Sequence, residues 1–334
     1  MTFEGHHFGL PPPAMGRSYP KPFPSIISLI LIPLALLALI YLFLYPKDLE
    51  LQYSLVVTTC GPSLPPSSSN FIGPVTPKPD FRLLIGILTR ADLYERRHLL
   101  RLVYSLQPRL ATAHIDIRFV FCNLTKEDQR VIVALEILRY DDIIILNCTE
   151  NMDNGKTYTY FSSLPELFNG TDAAGDDRPY DYVMKTDDDT YLILDNLAVS
   201  LKNKSREDMY YGFVLPCVSM DPFHDYMSGM GYILSWDLIE WISTSEMVRN
   251  RTVGPEDRLT AEWLRDGNKA KNRYTAKPAM YDHPDSQPRS FCRHEFVPHT
   301  ILVHKVKNNL NWARTLKYFN ATDGLKPSKF YHIS

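Results

Sequence analysis

The chain has 334 residues, with 36 Lys and Arg against 38 Asp and Glu, and a formal net charge of −2. That balance gives no electrostatic footing for a nucleic-acid partner. Five cysteines stand at 60, 122, 148, 217 and 292 without a Cys-x-x-Cys pair, which removes the zinc-ribbon and dithiol redox classes. The length suffices for one large domain with a substantial core.

Residues 1–24 hold six prolines and few apolar side chains and read as a disordered cytosolic tail. From Pro22 to Pro46 there is no charge, and Ile26 to Tyr45 gives 20 residues, mostly apolar. A helix of that length crosses about 30 Å of hydrocarbon. Lys47-Asp48-Leu49-Glu50 offers no small-residue cleavage site, so 25–45 reads as an uncleaved transmembrane signal anchor rather than a signal peptide. Arg17 and Lys21 lie before it, whereas Asp48 and Glu50 follow it. This orients the N-terminus to the cytosol, as a single-pass type II membrane protein. Six Asn-x-Ser/Thr triplets, at Asn123, Asn147, Asn169, Asn203, Asn250 and Asn320, all follow the span and favour a lumenal domain. In an oxidising lumen Cys122, Cys148, Cys217 and Cys292 form two disulfides, with three pairings open. Residues 46–80, with Pro/Ser-rich runs, read as a stem.

The globular part spans 81–334. A strand is expected over 81–88 and a helix over 94–107. A second strand follows at 115–121 and a helix at 126–140, read from its Val131, Leu135 and Leu138 stripe, with Thr125 as its cap. Further strands are expected at 142–146, 182–186, 210–216 and 300–306, and helices at 157–167, 237–247 and 256–266. This alternation predicts an α/β fold with a mostly parallel central sheet and helices on both faces. Ligands of such sheets bind beyond the carboxyl ends of the strands.

The fourth strand ends in Asp187-Asp188-Asp189. Adjacent carboxylates repel unless a cation sits among them. In extended chain Asp187 and Asp189 point one way and Asp188 the other. Asp187 and Asp189 together suit Mn²⁺ or Mg²⁺. A solvated acidic turn is the alternative.

Four segments in order resemble glycosyltransferase family 31, the group of β-1,3-galactosyltransferases, β-1,3-N-acetylglucosaminyltransferases and Fringe-type enzymes. They are Glu95-Arg96-Arg97-His98-Leu99-Leu100-Arg101, Lys185-Thr186-Asp187-Asp188-Asp189, Ser228-Gly229-Met230-Gly231-Tyr232-Ile233-Leu234-Ser235 and Glu256-Asp257. Asn154-Gly155-Lys156-Thr157 loosely echoes a fifth. The chain departs from the pattern at Leu102-Val103-Tyr104 and at Asp257-Arg258.

The resemblance implies a GT-A type nucleotide-sugar-binding fold in the Golgi lumen. It implies Mn²⁺, with Mg²⁺ as the substitute, a UDP-sugar donor, and inverting transfer of a hexose, galactose in β-1,3 linkage, to a glycan or glycoprotein acceptor. Asp187 and Asp189 become metal-side carboxylates, and His304 a late-strand ligand completing the shell. A satisfied core histidine is the alternative for His304; His294 and His299 are weaker candidates. Asp188 is left for sugar or ribose, and Lys185 joins the substrate-binding residues. Asp257 is the candidate general base, with Glu256 behind it; both also suit the dipole of a helix start. Arg96, Arg97 and Arg101 are candidate phosphate binders, or a solvated helix face. Gly229 and Gly231 permit close approach of backbone to substrate. Trp236, Trp241 and Trp263 are expected in the core. The alternatives in other classes are a transferase-fold lumenal protein that binds glycan or partners without catalysis, and a metal-dependent hydrolase.

Overall fold

The computed structural model describes residues 32–37, 40, 79–169, 178–326 and 328–330. The expected tail, anchor and stem lie almost wholly outside them, as does Cys60. Residues 32–37 are helical, and no described helix is long and apolar enough to cross a membrane. Contacts divide the chain into two units, Met1–Pro74 and Val75–Ser334, and the second carries the fold.

In chain order the first half runs β1 (Phe81–Leu88), α1 (Tyr94–Ser105), β2 (Ala113–Cys122), α2 (Glu127–Tyr140), β3 (Ile143–Leu146), α3 (Lys156–Leu167) and β4 (Tyr182–Asp187). Then come β5 (Tyr191–Leu192), α4 (Leu194–Leu201), β6 (Met209–Leu215), β7 (Tyr226–Ser235), α5 (Trp236–Thr244), α6 (Glu246–Arg249) and α7 (Glu256–Asp266). The chain closes with β8 (Asn272–Thr275), β9 (Met280–Asp282), β10 (Leu302–His304) and α8 (Asn309–Tyr318). Seven strands form one sheet in the order β3-β2-β1-β4-β7-β6-β8, and β5-β10-β9 form a smaller one. Within the large sheet β7 runs against its neighbours β4 and β6; the other pairings are parallel. The sheet is therefore mixed, and mostly parallel as expected.

Side-chain alternation along β1 divides the core. Leu83, Ile85 and Ile87 pack with Leu100 and Val103 of α1 and with Leu302 and Val303 of the small sheet. Leu84 and Leu88 face the opposite way, onto Tyr160, Phe161 and Leu164 of α3 and onto Trp236, Ile239 and Trp263 of α5 and α7. Trp236 and Trp263 are buried, as expected of core residues, whereas Trp241 is only half-buried at the edge of the same cluster. The disulfides select one of the three open pairings, Cys122–Cys148 and Cys217–Cys292, with Cα atoms 5.1 and 5.0 Å apart.

Helix α2 departs from expectation. Val131, Leu135 and Leu138 are 55%, 62% and 84% exposed, and the inward residues are Val133 and Glu136. Glu136 accepts two bonds from the Arg97 guanidinium, at 2.9 and 2.6 Å, and one from Arg101 at 2.6 Å. A buried charge is costly unless paired, so this contact outweighs the apolar stripe in setting the helix's rotation. Thr125 does not cap α2; Lys126 takes the cap position and makes no side-chain cap bond.

Candidate active site

The acid triplet sits at the carboxyl end of β4, level with the end of β1 through the Leu88–Asp187 register. There it lines a cavity of about 410 Å³ with Thr89, Arg90, Glu150, Lys156, His304 and Lys307. The triplet divides as the alternation expects. Asp187 and Asp189 turn to one side and meet His304, whose Nε2 lies 3.6 Å from Asp187 Oδ2 and 3.3 Å from Asp189 Oδ1. One donor atom from each of these three residues lies within 4.8 Å of the other two. Asp188 turns to the other side and accepts from Thr89 Oγ1 at 2.5 Å.

His304 reaches the triplet because β10 lies beside β5, which follows the triplet directly, and because the Val306 amide donates to Asp189 O at 2.9 Å. Arg96 donates to the carbonyls of Val306 and Lys307, at 2.8 and 2.9 Å, and so pins the same segment. In this structure both of its terminal nitrogens are engaged with backbone. Burial by itself would lower the His304 pKa, but hydrogen bonds from its ring to Asp187, Asp189 and Asp282 raise it well above the ordinary histidine value. His294 and His299 stay outside this group. His294 lies against the Tyr281 ring, with Nε2 2.9 Å from Pro278 O, and His299 is exposed.

Lys185 precedes Asp187 by two residues on β4 and points the same way. It is buried, and its Nζ donates to Asp187 Oδ1 at 2.8 Å, Gly229 O at 2.7 Å and Glu256 Oε1 at 2.7 Å. It therefore orders the acidic groups and is not open to substrate. Burial would raise the Asp187 pKa, but Lys185 and His304 hold it far below the usual carboxylate range. Glu256 is buried as well, and its Oε2 accepts from Tyr232 Oη at 2.9 Å. With both oxygens engaged and its pKa raised, chiefly by burial, Glu256 belongs to the scaffold rather than to proton transfer.

Asp257, one residue on, is only half-buried and accepts from the Gly229 amide at 3.2 Å and the Arg258 amide at 2.7 Å. Gly229 thus joins the Asp187–Lys185–Glu256 chain to Asp257. A Cβ on Gly229 would meet Glu256 Oε1 at 2.6 Å, and one on Gly231 would meet Leu302 and Met184 at 2.8 Å. At both glycines the space a Cβ would take is therefore filled by the ends of neighbouring side chains. Arg97 is fully buried on Glu136 and on the carbonyls of Arg90 and Ala91; Arg101 holds Glu136 and Asp142. Neither is a phosphate binder.

Three participants escaped the sequence. Asp282 accepts from His304 Nδ1 at 2.7 Å, Thr89 holds Asp188, and buried Lys156 donates to Thr89 O and pairs with Glu150. Lys156 lies in the segment that loosely echoes the family. Asp282 and Thr89 each follow an apolar run at a strand end, a pattern too common to single them out.

Residues 95–220 match the family model described as Galactosyltransferase. The chain is similar to the β-1,3-galactosyltransferase pvg3 of Schizosaccharomyces pombe, at 26% identity over 68% of this chain and 72% of that protein. It is also similar to the hydroxyproline O-galactosyltransferase GALT2 of Arabidopsis thaliana, at 22% identity over 71% of this chain and 36% of that protein. Solved structures that resemble it include the galactosyltransferase LgtC with donor and acceptor sugar analogues, at TM-score 0.41 and 12% identity, over 75% of this chain and 98% of that one. Another is the mannosyltransferase PcManGT from Pyrobaculum calidifontis with GDP-Man and Mn²⁺, at TM-score 0.42 and 14% identity, over 78% of this chain and 70% of that one. These structural likenesses are too loose to carry function. The family model over residues 95–220 and the curated relatives, which agree with the four ordered motifs, support a glycosyltransferase that is similar to the galactosyltransferases of family 31.

Proposed function

We propose that this protein is a metal-dependent inverting hexosyltransferase that moves galactose from a UDP-sugar to a hydroxyl of a glycan or glycoprotein, forming a β-1,3 linkage. The observation that carries this is the convergence of Asp187, Asp189 and His304 on one wall of the 410 Å³ cavity. Two carboxylates and an imidazole form an oxygen and nitrogen donor set that accepts Mn²⁺ or Mg²⁺, and these three residues would hold the ion. A bound divalent cation supplies Lewis acidity and neutralises charge on a departing diphosphate.

The chain's own groups supply the rest. Lys185 keeps Asp187 ionised and in place. Asp188, oriented by Thr89, faces the cavity to take a ribose or sugar hydroxyl. Lys307 at the rim is 59% exposed, with its Nζ 3.9 Å from Asp189 Oδ2, and can turn from that carboxylate toward phosphate oxygens. Asp257 accepts the proton of the attacking hydroxyl as that oxygen displaces UDP from the opposite face, and one such displacement inverts the anomeric centre. The choice of galactose and of the β-1,3 linkage follows the name of the fission-yeast relative. The same reading takes the fold as GT-A type and puts the domain in the Golgi lumen behind the 25–45 anchor. Two disulfides support the location, as does the exposure of all six triplet asparagines.

Full-length protein purified in detergent tests this. UDP release from UDP-galactose, followed with and without a pool of glycan acceptors, is expected to need Mn²⁺ and to stop with EDTA. UDP binding with no transfer or hydrolysis of any UDP-sugar would overturn it in favour of a non-catalytic binder.

A further inference from the structure

Asp282 ends β9 and is 3% exposed. The parallel pairing of β9 with β10 sets it directly beside His304. Its Oδ1 lies 2.7 Å from His304 Nδ1, and its Oδ2 lies 2.8 Å from Lys305 Nζ. Its backbone is fixed too. The Asp282 amide donates to Cys292 O at 3.2 Å, Cys292 is bonded to Cys217, and the His283 amide donates to His304 O at 2.8 Å. This carboxylate therefore has one geometry, set by two strands and a disulfide-tied loop.

A neutral imidazole carries a single ring proton, and a carboxylate facing Nδ1 keeps it there. Once a cation displaces the Nε2 proton, the Nε2 lone pair faces the space shared with Asp187 and Asp189. We propose that Asp282 is a positioning residue for the cation site. It holds His304 in the Nδ1–H form and in the rotation that offers Nε2 to a divalent ion. This rests on the metal-dependent reading above. Ligating histidines are commonly held by such outer carboxylates, and loss of one weakens metal binding by about 10- to 100-fold.

The test is a Mn²⁺ titration of the full-length protein in the presence of UDP, with free Mn²⁺ read by electron paramagnetic resonance. Wild type, Asp282→Asn, His304→Ala and the double variant are compared. Asp282→Asn is expected to weaken binding by about 10- to 100-fold, with no further loss on the His304→Ala background. Wild-type affinity in Asp282→Asn would overturn the proposal. So would an equal loss with and without His304, which would mean that Asp282 acts on the fold alone. If Asp282→Asn does not fold, the wild type decides. With Cd²⁺ in place of Mn²⁺, the ¹H–¹⁵N spectrum of labelled His304 is expected to show the proton on Nδ1, and a proton on Nε2 would overturn the proposal. If wild type takes up no Mn²⁺ at all, the metal reading itself fails, a result distinct from either of these.

Discussion

Asp257 and Glu256 are neighbours with different fates. Glu256 is locked between Lys185 and Tyr232, whereas Asp257 accepts two backbone amides and keeps an exposed face. Asp257→Asn preserves size and the amide contacts, so transfer is expected to fall by about 10²- to 10⁴-fold with UDP binding intact. Loss of UDP binding, measured by calorimetry, would mark Asp257 as structural. His304 yields a pH prediction. Its folded-state pKa lies above the ordinary 6.5 because of the three carboxylates, so without metal these contacts stabilise the fold fully below pH 6.5. They fade as pH rises through the folded value. Metal uptake runs the other way, because a cation must displace the Nε2 proton. The melting-temperature gap between Mn²⁺-loaded and EDTA-treated protein should therefore widen as pH rises above neutral, and a gap that narrows would contradict the ligand role.

At the scale of elements, α2 separates stability from appearance. Its sequence displays an apolar stripe, yet the structure turns Glu136 inward and leaves Leu138 in solvent. Glu136→Ala strands buried Arg97 and half-buried Arg101, and is expected to cost about 3–5 kcal/mol. Leu138→Ser, which a stripe-inward helix would not tolerate, should change stability by no more than about 0.5 kcal/mol. Urea denaturation of both variants checks the pair. Strand β7 shows a related point. Its register with β4 places Gly231 opposite Thr186, where a Cβ would press on the terminal methyls of Leu302 and Met184 at 2.8 Å. Gly231 thus lets Leu302 of β10, two residues before His304, pack closely on β7.

At the scale of the whole molecule, the lumenal reading predicts glycans. Asn123, Asn147, Asn169, Asn203, Asn250 and Asn320 are all exposed. Protein from a secretory host should therefore lose mass on treatment with a peptide N-glycosidase, and an unchanged gel mobility would argue against passage through the lumen.

The sequence by itself determined the α/β alternation, the strand-end placement of the acid triplet and the division of Asp187 and Asp189 from Asp188. Each follows from local periodicity or from side-chain direction along an extended chain. It also named Asp257 and His304, through their resemblance to a known pattern. Only the tertiary structure decided what each charge meets. Arg97 and Arg101 looked ready for phosphate until Glu136 and Asp142, 35 to 41 residues away, were brought against them. Lys185 looked open to substrate until Glu256, 71 residues away, closed over it. Asp282 had no signal at all until β9 paired with β10, and strands as short as β5, β8 and β9 carry too few residues to show a period. Pairing between distant charges is a property of the packed chain, because burial makes an unpaired charge costly, and the partner that relieves that cost is chosen by topology rather than by neighbours in sequence.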